Sequence, residues 1–105
     1  MAKQKLILVY ITAKDSAEAR KVAANLLKKR LIACANIFPI SSMYWWKGKI
    51  KGGREAVLIG KTLHKHHASI QKEVKRIHSY SMPCIIKIGA EANREFFGWL
   101  CGEVK

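Results

Sequence analysis

The chain predicts an α+β fold: four strands in one antiparallel sheet, two helices on one face, and a short trailing helix. Three observations carry this. Apolar runs of strand length alternate with two stretches of helical periodicity, giving the order β-α-β-β-α-β. The second and third strands follow one another across glycines, and Gly48, after Lys47, or the Gly52-Gly53 pair can take the positive φ that a hairpin reversal needs. Each helix lies between two strands, and right-handed crossovers then place both helices on the same face of the sheet.

Residues 6–11, Leu-Ile-Leu-Val-Tyr-Ile, are apolar without alternation, the pattern of a central strand buried on both faces. Thr12 to Asp15 turn the chain. Asp15 is placed to cap a helix, and Glu18 three residues later completes a capping-box pattern. Ala19, Val22, Ala23, Leu26 and Leu27 then recur at helical spacing, with Lys21, Lys28 and Lys29 opposite, so the helix is expected to reach about Arg30. A second strand is expected over residues 31–38, interrupted at Pro39 by an edge or a bulge. Residues 41–50 continue it as a long bent arm, and residues 55–62 return as the third strand. A second amphipathic helix is expected over residues 64–77, with Ile70, Val74 and Ile77 inward. Met82-Pro83 breaks the chain before a last strand over residues 84–88. Phe96, Phe97, Leu100 and Val104 mark the terminal helix, with Asn93 placed to cap it. The whole is a ferredoxin-like two-layer sandwich in a single domain, residues 1–105.

The arm organises the rest. Successive side chains on a strand point to opposite faces, so Trp45 faces one way while Tyr44 and Trp46 face the other. Two helices cover only one face of the sheet, yet the central strands are apolar on both. A second chain must cover the other face. Burying about 800 Å² per partner at about 25 cal/mol per Å² is a gross gain of ~20 kcal/mol before association costs. A homo-oligomer is expected, with Tyr44, Trp45 and Trp46 in its interface.

Composition narrows the function. Half the residues are hydrophobic, which excludes a disordered chain, and no apolar run approaches a membrane span. The charged start, Met1 to Lys5, followed by six apolar residues resembles a signal peptide only superficially. It reads as the first strand of a cytoplasmic protein. Cys34, Cys84 and Cys101 are odd in number with no Cys-x-x-Cys pair, so reduced thiols are expected rather than a disulfide framework or zinc knuckle. Twenty Lys and Arg against seven Asp and Glu give a formal charge of +13. The charges are scattered, with no arginine-rich arm or nucleic-acid motif, so a solvated surface is expected, binding nucleic acid at most non-specifically. Nor do the carboxylates pair, and no Ser/His/Asp order, P-loop or Gly-x-Gly-x-x-Gly is present. The chain does not read as an enzyme.

Several motifs in order resemble the CutA family of divalent-cation-tolerance proteins. They are residues 8–15 (Leu-Val-Tyr-Ile-Thr-Ala-Lys-Asp), 31–37 (Leu-Ile-Ala-Cys-Ala-Asn-Ile), 44–50 (Tyr-Trp-Trp-Lys-Gly-Lys-Ile), Lys61-Thr62, and 78–83 (His-Ser-Tyr-Ser-Met-Pro). The resemblance implies a ferredoxin-like fold assembled as a trimer whose long strands pair across subunits, and a role in copper or divalent-metal tolerance. Three positions depart from the family pattern. Ser79 stands where the family commonly has proline, and Cys84 where it commonly has glutamate. Ile11 stands where some members carry a cysteine proposed to bind copper. Of that proposed metal set His78 alone is kept.

Two candidate sites follow. His78 and Cys84, with Tyr80 between them, flank the turn before the last strand, and imidazole with thiolate suits copper or zinc. Two donors do not fill a tetrahedral shell, so a neighbouring chain or solvent must complete it. Trp46, Lys61 and Tyr80 are expected to line an inter-subunit cleft suited to a small anion. His64 and His67, at i and i+3, could pinch a metal but read more readily as solvated surface. The expected function is therefore homotrimeric binding of copper, another divalent metal, or a small ligand at inter-subunit clefts. The alternatives are a trimeric signalling or scaffold module similar in architecture to the nitrogen-regulatory PII proteins, or a polyanion-binding module.

Overall fold

The computed structural model describes residues 4–105. Met1 to Lys3, part of the charged start, lie outside the described residues. The elements are β1 (Leu6–Ala13), α1 (Ser16–Lys28), β2 (Cys34–Trp46), β3 (Lys49–Leu63), a single 3₁₀ turn (His64–His66), α2 (His67–Ile77), β4 (Ile85–Gly89) and α3 (Arg94–Glu103). The sheet runs β2-β3-β1-β4 with every pairing antiparallel, the expected topology.

The central strand splits its residues between two environments. Ile7, Val9, Ile11 and Ala13 point to one face and join Ala56, Leu58 and the inward residues of α1 and α2 in the main core. Ala19, Val22, Ile70 and Val74 are essentially inaccessible there, as the helical periodicity marked, but Leu27 of the expected α1 stripe turns outward and is 40% exposed. Gly60 belongs to this layer, where a Cβ would sit 3.1 Å from Ile32 Cγ2. The sheet and the α1–β2 connection meet so closely there that a side chain would require Ile32 to shift.

α1 starts and stops by local chemistry. Asp15 Oδ1 accepts from Glu18 N at 2.8 Å, as expected of an N-cap. Glu18 does not complete a capping box with Asp15. Its carboxylate reaches Lys14 N instead, one residue earlier. The helix ends at Lys28, because Arg30 adopts φ 59° and closes a Schellman motif, Leu31 N on Leu26 O and Arg30 N on Leu27 O. This reversal delays β2 to Cys34, three residues beyond the expected start.

Pro39 does not interrupt β2. Its partner is Ala56 in an unbroken ladder, and β2 is an edge strand, where a missing N–H costs nothing on the outer side. The reversal falls at Lys47 (φ 50°) and Gly48 (φ 77°), the two left-handed residues of a type I′ hairpin. β3 therefore begins at Lys49, six residues before its expected start. Beyond the Ala13–Ala56 pair, β2 and β3 continue alone as a two-stranded arm, and the molecule is 48 Å long but only 23 Å wide.

α3 corrects one expectation. Leu6, Leu63, Leu100 and Val104 form a second buried cluster, so this helix covers one end of the face opposite α1 and α2. Asn93 sits at its N-cap position but makes no side-chain cap bond. The rest of that face stays open, with Phe38, Ile86, Ile88, Tyr44 and Trp46 each at least 40% exposed. The other side of the arm exposes Met43, Trp45 and Ile50 still further.

Candidate functional site

The open face and the root of the arm enclose a cleft of about 780 Å³, lined among others by Tyr10, Tyr44, Trp46, Glu55, Tyr80 and Cys84. Register explains the arrangement. Tyr44, Trp46 and Glu55 lie on the same side of the β2–β3 ladder, opposite Lys51, Lys49 and Ile40 respectively, and Tyr10 and Thr12 share that side on β1. The loop between α2 and β4 closes the cleft with Tyr80, Met82 and Cys84.

Tyr80 is fixed at its tip. Its hydroxyl donates to Glu55 Oε2 at 2.6 Å. Burial pushes the phenol well above its ordinary value, and the adjacent Glu55 carboxylate adds to the rise, so Tyr80 stays a donor at any physiological pH. Glu55 is a functional candidate that sequence reasoning passed over. The available signal was a lone carboxylate heading an otherwise apolar strand.

His78 is held on both sides of its ring. Nε2–H donates to the Thr12 carbonyl at 2.7 Å, and Nδ1 accepts from Tyr80 N at 3.0 Å. The ring also stacks obliquely on Tyr80, centroids 4.9 Å apart. Neither nitrogen has a free lone pair, so a metal ion could use His78 only by displacing one of these bonds. Glu18 secures the same loop from below. One carboxylate oxygen accepts from Lys14 N at 3.0 Å and the other from Ser79 N at 2.9 Å. Burial alone would raise this carboxyl, but the Lys14 and Ser79 donors outweigh it and hold Glu18 ionised below the usual carboxylate range.

The sequence-predicted ligand residues separate. Trp46 and Tyr80 share the cleft, but Lys61 pairs with Cys34 at the far end of β3 and lays its Nζ 5.5 Å from the centre of the Phe96 ring. Six residues of strand put Lys61 about 20 Å from Glu55, so within one chain it does not line the cleft. Cys84 lines the cleft as a half-buried free thiol, and Met82 lines it too. In the turn before α2, the Lys87 ammonium donates to His64 Nδ1 at 3.2 Å. Among the described residues no group of three or more His, Cys, Asp and Glu side chains converges on a metal position.

Comparison with known proteins agrees across the whole fold. Residues 7–103 match the family model described as CutA1 divalent ion tolerance protein. The chain is 46% identical over 93 residues to the divalent-cation tolerance protein CutA of Archaeoglobus fulgidus, covering 88% of this chain and 91% of that one. It is 40% identical to the CutA of Pyrococcus horikoshii, covering 95% and 99%. Among solved structures, the periplasmic divalent cation tolerance protein CutA of A. fulgidus superposes with a TM-score of 0.92 at 44% identity, over 95% of this chain and 99% of that one. CutA1 of P. horikoshii gives 0.91 at 39% identity, over 94% and 98%.

Proposed function

The chain belongs to the CutA1 divalent ion tolerance family, and from that premise we propose that it is a homotrimer binding copper, or another divalent metal or small ligand, in the clefts at the arm roots. The exposed arm carries the assembly. An isolated two-stranded ribbon is marginal in water, and Trp45 is 72% exposed among the described residues. A neighbouring chain seated on the arm and the open face supplies cover and closes each cleft over Trp46, Tyr80 and Cys84.

The donor set favours a soft ion on the loop side. Cys84 thiolate suits Cu(I), and Met82, which lines the same cleft, offers a further soft donor, whereas the imidazole of His78 joins only if its bond from Tyr80 N opens. Two or three donors from one chain leave the shell incomplete, so the neighbour or solvent supplies the rest. Nothing in the cleft pairs a nucleophile with a base, which favours binding over catalysis. Placement in the cytoplasm is part of this proposal. The A. fulgidus relative is described as periplasmic, and cell fractionation distinguishes the two.

A Cu(I) titration of tag-free protein under reducing conditions, against a competing chelator, tests the site. One tight ion per chain is expected, weakened at least tenfold by Cys84→Ser and less by His78→Ala. Weak binding that neither substitution changes would overturn it.

A further inference from the structure

We infer that the outer surface of α1 and α2 is a docking face for double-stranded nucleic acid, bound through its phosphate backbone. The strong positive charge was scattered in the sequence, but the fold gathers part of it on one face. α1 exposes Arg20, Lys21 and Lys28 on the side away from the sheet, and α2 exposes Lys72 and Lys75 beside them. Among the described residues none of these five has a carboxylate within ion-pair distance; the three ion pairs involve Lys29, Arg30 and Arg76.

The acidic side chains of this layer are all committed elsewhere. Asp15 caps α1, and Glu18 turns inward to Lys14 N and Ser79 N. Glu73 is buried beneath Lys29, Arg76 and the Asn25 amide, which together hold its carboxyl down at about 2. No carboxylate therefore remains to neutralise the outward cations. A groove of about 820 Å³ continues the surface, adding Lys105 to the lining made by Lys72 and Arg76.

The chemistry of the face selects its partner. Thirteen residues of α1 span about 20 Å, which is the length of roughly six base-pair steps of a duplex. Neither helix carries Phe, Trp or Tyr, so the face offers no platform for stacking unpaired bases. Leu27 is its one exposed large apolar side chain, far short of the apolar stripe by which an amphipathic helix enters a membrane. Phosphates of a duplex fit the remaining chemistry. Because the proposed oligomer buries the opposite side of the sheet, this face stays outward on every subunit.

The test is fluorescence anisotropy with a 24-base-pair duplex of arbitrary sequence, stepped through salt. Five phosphate contacts predict a slope of log K against log salt of about −4.5. The variant Lys21→Glu, Lys28→Glu, Lys72→Glu should bind at least tenfold more weakly, with a slope shallower by about 2.7. A control variant, Lys5→Glu, Lys65→Glu, Arg94→Glu, removes the same charge from outside α1, α2 and the arm and should change affinity less than threefold. Should the triple reversal disturb folding, Lys28→Ala with Lys72→Ala should still flatten the slope by about 1.8. Equal losses in the helix and control variants would overturn the proposal, because net charge alone would then account for binding. Preference for the single strand, or binding to anionic vesicles of phosphatidylserine but not to the duplex, would overturn it as well.

Discussion

Removing the Glu18 carboxylate should loosen the whole cleft from a residue that lies outside it. Glu18 is 8% exposed and satisfies two backbone donors, Lys14 N at 3.0 Å and Ser79 N at 2.9 Å. The second anchors the loop that presents His78, Tyr80 and Cys84. Hydrogen bonds to a charged acceptor contribute about 1.5 kcal/mol each at the lower end, and Glu18→Ala leaves both donors unpaired. The loss is about 3 kcal/mol, less about 0.4 kcal/mol for the better helix propensity of alanine. The Asp15 cap is untouched, because it takes the Glu18 backbone N–H. Guanidinium unfolding at fixed chain concentration should therefore show Glu18→Ala less stable by about 2.5 kcal/mol. Glu18→Gln, which keeps one acceptor and loses the charge, should fall between it and the parent. Hydrogen exchange at the Ser79 amide should accelerate in both. A loss below 1 kcal/mol with Ser79 still protected would refute the reasoning, since the loop would then be held by something other than Glu18.

Other consequences are as direct. The Glu73 carboxyl is held at about 2, below its unfolded value, so its contribution is present above about pH 4.5 and lost as pH falls toward 2; Glu73→Gln should flatten that acid limb of the stability curve. Tyr80 shifts the other way, so its contribution is present below pH 10 and lost as alkali ionises it; Glu55→Gln should bring its phenolate absorbance in at lower pH. Gly60→Ala forces a methyl to within 3.1 Å of Ile32 Cγ2 and should cost about 1–3 kcal/mol in denaturant unfolding. Trp45→Ser, on the exposed arm, should leave far-UV circular dichroism of the dilute chain unchanged while sedimentation equilibrium shows weaker self-association.

The sequence disclosed most where periodicity and burial coincide. Val9, Ile11, Val22, Leu26, Ile70 and Val74 stood out as core because a two-sided apolar strand and two helical stripes leave them no other place. The faces of Trp45 and Trp46 followed from alternation alone. Boundaries were less legible, because the signals compete: Arg30 takes a left-handed conformation with no glycine to announce it, and Pro39 is tolerated by an edge position that strand order alone reveals. α3 was read as a helix, but its place on the second face was invisible, since amphipathicity names a buried stripe and not the surface that buries it. The site was read in part. Trp46 and Tyr80 of the expected cleft line one pocket, which Cys84 of the expected metal pair also lines, whereas Lys61 lies by Phe96 because six strand residues carry it away. Glu55 and the doubly bonded ring of His78 are tertiary facts, set by the Tyr80 hydroxyl 25 residues from Glu55 and by the Thr12 carbonyl 66 residues from His78.

Native mass spectrometry of the reduced protein, with Cu(I) added in stoichiometric steps, tests the central claim most directly because it weighs assembly and metal together. The account predicts a species of three 11.9 kDa chains that fills to one copper per chain and no further, with that loading lost in Cys84→Ser while the trimer persists. A monomer under these conditions, or a trimer whose copper count is unaffected by Cys84→Ser, would contradict it.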